Sequence, residues 1–221
     1  NIIKKKQTAI INFTLPLILV LIGFIIYRDY GISLDEEITR NNGLVSIKYI
    51  CDLFFPQYAN NLELIKNVPE IKNYGDGHYG AFFEILTIVI TEIFFEIKNF
   101  SEIFYYRHLI NHYLFIISVI CFYFLCFHIF KNKIYAFFGS AFLYSSPRIF
   151  AESFYNSKDL AFLSFFIFLI FFSIKFIKEQ NYYNAFLLSI FAAIATNIRL
   201  VGIYVSILVV LFFIVDFLMK N

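Results

Sequence analysis

Two clusters of carboxylates and cations in this chain are of the types that run group transfer. The first is Asp35-Glu36-Glu37. The second packs Arg148, Glu152, Ser153, Asn156, Lys158 and Asp159 into twelve residues. A carboxylate can serve as the general base that takes a proton from an attacking hydroxyl or amine, and Lys or Arg can stabilise a departing phosphate. Both clusters stand just outside long apolar segments. Charge beside lipid is costly unless solvated or paired, so two such clusters in one membrane chain point to a site. If both lie on one side of the membrane, they can share one active centre.

Each cluster also has a plainer reading. Ser33 can cap a helix whose third residue is Glu36, a capping box in which early carboxylates are favoured by the helix dipole. Lys158 and Asp159 can form a surface ion pair beside a polar cap at Asn156. Asp76 and His78 lie in Tyr74-Gly75-Asp76-Gly77-His78-Tyr79-Gly80, where they are either ligands or substrate contacts, or simply turn residues. Two residues of ligand type do not make a metal site. Arg199, in Asn197-Ile198-Arg199, either snorkels to the interface or binds a lipid phosphate, whose geometry a guanidinium matches. For His108, His112 and His128, packing is the default reading.

The elements that must position these residues are membrane helices. Of 221 residues, 60% are hydrophobic and 22% aromatic, with 32 Phe and 16 Tyr. A soluble domain of this size cannot hide so much apolar surface, so lipid is the solvent for part of it. A formal charge of +2 gives no support to a nucleic-acid partner. The cysteines Cys51, Cys121 and Cys126 lack metal spacing, and the last two read as small buried thiols.

A helix needs roughly 20 apolar residues to cross a bilayer. Segments 8–27, 108–130, 159–174 with its flanks, and 201–219 qualify, and 134–144 and 183–195 do so with help from neighbours. The first reads as a retained anchor. Lys4 to Lys6, Lys131 with Lys133, Lys175 with Lys178, and Lys220 punctuate these segments. Lys in short loops marks the cytoplasmic side. Six spans starting inside place every lysine group in the cytoplasm, and Asp35, Asp159 and Arg199 outside.

Segment 81–97 tests that count. It is apolar, yet Glu84, Glu92 and Glu96 fall on one helical face at about 100° per residue. That pattern suits a helix lying in the interface. The first outer loop then runs over 28–107, with a second amphipathic helix over 38–55 ended by Pro56. The expected fold is an all-α polytopic bundle of about six spans with juxtamembrane helices in that loop. The whole chain, 1–221, reads as one module. It starts with Asn rather than Met and stops just past an apolar segment, so it is expected to be a fragment of a longer membrane protein.

The order of these motifs resembles the GT-C superfamily of membrane glycosyltransferases. The nearer match is the polyprenyl- or dolichyl-phosphate-sugar-dependent branch, which includes protein O-mannosyltransferases and lipid A aminoarabinose transferases. Three stretches carry it: Asp35-Glu36 after one transmembrane segment, Tyr79-Gly80-Ala81-Phe82-Phe83-Glu84 leading into a juxtamembrane helix, and the stretch from Pro147 to Asp159 before a later span. Some members have a Lys-Pro-Pro-like stretch where this chain has Asp76-Gly77-His78-Tyr79-Gly80.

The resemblance implies an integral-membrane hexosyltransferase, with mannose among the candidate sugars. It would move the sugar from a polyprenyl-phosphate donor to a protein, lipid or glycan acceptor on the extracytoplasmic face of the plasma (inner) membrane. By that match Asp35, with Glu36 beside it, is the catalytic base, and Asp159 is the second catalytic carboxylate. Asp76, His78, Arg148, Glu152, Asn156, Lys158 and Arg199 are the substrate-binding set. The resemblance names no certain cofactor, and a divalent cation, which Asp159 could hold, is the one candidate. The alternative class is a non-enzymatic transporter or polyprenyl-lipid-binding protein.

Overall fold

The computed structural model describes residues 16–59 and 62–220, and all regular structure among them is helical. The helices are α1 (Pro16–Ile26), α2 (Leu34–Phe54), α3 (Pro56–Ala59), α4 (Glu63–Lys66), α5 (Phe82–Ile88), α6 (Phe100–Phe130), α7 (Lys133–Ser145), α8 (Pro147–Tyr155), α9 (Ser157–Lys178), α10 (Tyr182–Ile198) and α11 (Gly202–Lys220). A 3-10 turn covers Ile71–Asn73, and a π-helical segment, Val89–Phe94, continues α5.

Asparagine caps four of the described helices. Asn99, Asn132, Asn156 and Asn181 each place a side-chain oxygen on a backbone N–H of the helix that follows. This satisfies donors that the first turn leaves orphaned. Pro147 lacks an N–H to continue α7 and instead opens α8.

By length and composition, helices α6, α9 and α11 are long and apolar enough to cross a membrane. The sequence gives reason to expect six crossings, and among the described residues three helices meet the length and composition requirement. Helix α7 has 13 residues and α10 has 17, the first cut short by Ser146-Pro147 and the second bounded by Asn181 and Arg199. Segment 8–27 lies partly outside the described residues, as do Lys4, Lys5 and Lys6.

The bundle runs up and down. Arg28 beyond α1 pairs with Glu102 at the start of α6. The Tyr144 ring, late in α7, lies 6.1 Å from that of His112, early in α6. Asp159 at the start of α9 pairs with Arg199 at the end of α10, and Gln180 before α10 reaches Asp216 near the end of α11. One end therefore gathers Asp35, Asp159 and Arg199, and the other gathers Lys131, Lys133, Lys175 and Lys178. Phenylalanine fills the seams: Phe83, Phe165 and Phe168 pack with Leu169, Ala195 and Ile198 between α5, α9 and α10, and Phe172 stacks on Phe191 with centroids 5.1 Å apart.

Segment 81–97 departs from expectation in one respect. It does form a short helical run, but Glu84 and Glu92 turn into the protein, whereas Glu96 lies past the run and is exposed. Glu84 and Glu92 are ion-paired with Arg107 and Arg40, while Leu86, Val89, Ile93 and Phe94 face outward. Periodicity shows which residues share a face; here that face meets arginines from α6 and α2. The other expected amphipathic helix starts at Leu34, so Asp35 sits in its first turn, and it ends at Phe54 ahead of Pro56. Helix α6 starts at Phe100, which places Arg107 and His108 inside it.

Candidate functional site

A cavity of about 410 Å³ opens where α2, the 74–79 turn, the start of α9 and the end of α10 converge. Asp35, Asp76, Tyr79, Asn156, Lys158, Asp159 and Arg199 line it. The two motif clusters thus meet in one chamber, joined by a residue 40 positions further on.

Asp35 is exposed in the first turn of α2, and its carboxylate has no side-chain partner among the described residues. Glu36 beside it is buried and fully engaged. Its Oε2 accepts the Ser33 N–H at 2.7 Å, the reciprocal arm of a capping box. Its Oε1 lies 2.7 Å from His108 Nε2, and His108 Nδ1 is 3.2 Å from the Tyr27 carbonyl. A carbonyl only accepts, so Nδ1 carries a hydrogen, and the Nε2–Oε1 contact holds one further proton between imidazole and carboxylate. Glu36 thus holds α2 against α1 and α6, while Asp35 is presented to the cavity.

Across the cavity, the Asn156 side chain caps α9 by accepting the Asp159 N–H at 2.9 Å. The Asp159 carboxylate pairs with Arg199, and both are about half exposed. Lys158 is half-buried, and its Nζ lies 3.7 Å from the centroid of the Tyr79 ring, a cation–π contact. Tyr79 is held by its turn, where its N–H donates to the Asp76 carbonyl at 3.0 Å. The same turn is tied to α2 by the Tyr74 hydroxyl, which donates to Asn42 Oδ1 at 2.7 Å. Burial raises the Tyr74 phenol above its usual range, and Asp76 adds to this.

Three expected residues stand elsewhere. His78 lines a neighbouring open groove of about 620 Å³ with Ala192, Thr196, Asn197 and Ser206. Arg148 and Glu152 pair with each other one turn apart on α8, with Arg148 87% exposed, and neither lines the cavity. Tyr79 is common to cavity and groove, and Ser206 carries the groove on into an apolar cleft between α10 and α11.

Sequence reasoning missed the support beneath the cavity. Glu84 accepts a hydrogen bond from Ser157 Oγ at 2.6 Å and pairs with Arg107, whose Nη1 donates to Thr87 Oγ1 at 2.6 Å. This buried cluster ties α5 and α6 to the start of α9. Its one sequence signal is an arginine placed directly before a long apolar run. No group of three or more His, Cys, Asp or Glu that could hold a metal ion occurs among the described residues. No family model, no curated protein and no solved structure matches the chain.

Proposed function

We propose that the chain is the membrane-embedded catalytic module of a glycosyltransferase that takes a hexose from a polyprenyl-phosphate donor. The observation that carries this reading is an unpartnered carboxylate, Asp35, sharing one cavity with the cations Lys158 and Arg199. Asp35 takes the proton of an acceptor hydroxyl as its oxygen attacks the anomeric carbon. The bond from that carbon to the phosphate oxygen breaks, and the lipid phosphate leaves with the electron pair. Lys158 and Arg199 stabilise the charge that develops on it. A single displacement inverts the anomeric configuration.

The apolar cleft between α10 and α11, reached through the groove beside Tyr79, suits the donor's hydrocarbon tail. In this reading α1, α6, α7, α9, α10 and α11 are six crossings of a plasma membrane. The lysine end is cytoplasmic and the cavity end extracytoplasmic.

The test is transfer of labelled sugar from polyprenyl-phosphate donors by membranes carrying the protein or its Asp35→Asn or Asp159→Asn variant. Transfer by the parent and its loss in both variants supports the reading. Retained transfer in Asp35→Asn removes the base assignment. Lipid binding without transfer by the folded parent moves the protein to the lipid-binding class.

A further inference from the structure

The end of the bundle opposite the cavity carries a basic cluster that the reaction does not use. Lys178, in the last turn of α9, places Nζ 2.6 Å from Nε2 of His128, in the last turn of α6. An ammonium only donates, so Nε2 is the acceptor and the imidazole is neutral. Lys178 is therefore held by an uncharged group, which leaves its charge in place. Lys131, Lys175 and the Glu179 carboxylate also act electrostatically on this ring, and Asp216 at the same end accepts a hydrogen bond from Gln180. A helix C-terminus favours a nearby cation, which accounts for a lysine at each helix end but not for three around one histidine.

The surroundings are those of a membrane–water boundary. Tyr135, Tyr182 and Tyr183 are exposed at this end, near the starts of α7 and α10. Tyrosines and lysines at one level mark the depth of lipid headgroups. Just inside that level, Phe130, Ile134 and Ile177 present apolar surface. The Lys175 ammonium lies against the Phe171 and Phe172 rings at 5.1 and 5.9 Å, its stem along the apolar face.

We propose that the His128–Lys178 cluster binds the headgroup of an anionic phospholipid. The phosphate is seated among Lys131, Lys175 and Lys178, and the acyl chains lie on the exposed apolar faces below. Charge complementarity selects the ligand: a zwitterionic headgroup would bring its own cation against three lysines. This inference does not depend on the glycosyltransferase reading.

The experiment is native mass spectrometry of the protein released from bilayer discs containing equal amounts of phosphatidylglycerol and phosphatidylcholine. The parent should retain phosphatidylglycerol several-fold over phosphatidylcholine. Lys178→Gln should lower that ratio about fivefold, given the attraction of a single lysine to an anionic surface. Lys178→Arg, which keeps the charge, should preserve it. The triple change Lys131→Gln, Lys175→Gln, Lys178→Gln should abolish it, and Lys66→Gln with Lys72→Gln at the cavity end should not. Where a neutral variant fails to fold, loss of the parent's preference at high salt serves the same purpose. Equal retention of the two lipids by the parent overturns the proposal, as does a preference that survives the triple change.

Discussion

The Lys158 ammonium sits 3.7 Å from the centroid of the Tyr79 ring, although four carboxylates line the same cavity. Glu36 is engaged by Ser33 and His108, Asp159 is paired with Arg199, and Asp35 and Asp76 leave the lysine to the aromatic face. A cation–π contact holds an ammonium without neutralising it. Lys158 is therefore fixed in direction and still free to meet an anion where the polar cavity adjoins the groove. Tyr79→Phe should keep donor KM within about twofold, and Tyr79→Leu should raise it roughly tenfold, the loss expected from a desolvated cation–π contact. Steady-state transfer against donor concentration checks this. Equal effects of Phe and Leu would count against the ring's role.

Asp35 and Glu36 are adjacent yet should behave in opposite ways. Removing a general base costs about 100-fold or more in rate. Asp35→Asn should show that loss with unchanged thermal stability, because no described residue holds the Asp35 side chain. Glu36→Gln should lower the melting temperature, because it replaces the carboxylate partner of buried His108. Thermal unfolding and sugar transfer, measured on both variants, separate the two roles.

How much of this was legible in the sequence depends on distance along the chain. The capping box at Ser33 and Glu36 and the asparagine cap ahead of Lys158-Asp159 are local patterns, and the structure contains both. Arg148 and Glu152 are near the cluster in sequence but do not line the cavity; one turn apart on α8, they pair with each other. Glu84 was legible as part of a polar face. Its burial was not, because the arginine that receives it lies 23 residues away on another helix. The number of crossings was less legible than their alternation, since Ser146-Pro147 shortens α7 while leaving its direction unchanged.

The Arg199–Asp159 pair links α10 to α9 at the cavity mouth with both side chains about half exposed. Exposed pairs contribute little, so Arg199→Ala should change stability by less than about 1 kcal/mol. The same change removes one of two cations from the cavity and should lower transfer by at least about tenfold, by analogy with the loss of a preorganised charge stabiliser. Denaturation curves alongside transfer rates decide it. A large stability loss with a proportionate activity loss would make Arg199 a structural tie only.

The Glu84–Arg107 pair should behave in the reverse manner. Both side chains are more than nine-tenths buried; Ser157 donates to Glu84 and Arg107 donates to Thr87, while Arg107 Nε has no partner among the described residues. Removing one partner strands a buried charge, so Arg107→Met should cost about 3–5 kcal/mol. Replacing both, with Glu84→Leu added, should recover much of that loss, because no unpaired charge remains. Thermal unfolding of the single and double variants measures the recovery. A double variant no more stable than the single would show that the pair has a role beyond compensating its own burial.

Gly80 tests how tightly the 74–79 turn is set against α10. A Cβ at this position would fall on the Asn197 backbone carbonyl, and the Asn197 side chain accepts the Phe82 N–H at 3.0 Å. Because the obstruction is backbone, relief requires the turn or the end of α10 to move, and those two segments carry Tyr79 and Arg199. Gly80→Ala should cost about 1–3 kcal/mol, the usual range for overpacking. It should also reduce transfer beyond what the lost folded fraction explains. Gly75→Ala, where an added Cβ meets nothing within 4 Å, is the matched control and should leave both stability and transfer near the parent's values. If Gly80→Ala matches that control in both measurements, the close approach between turn and α10 does not position the site.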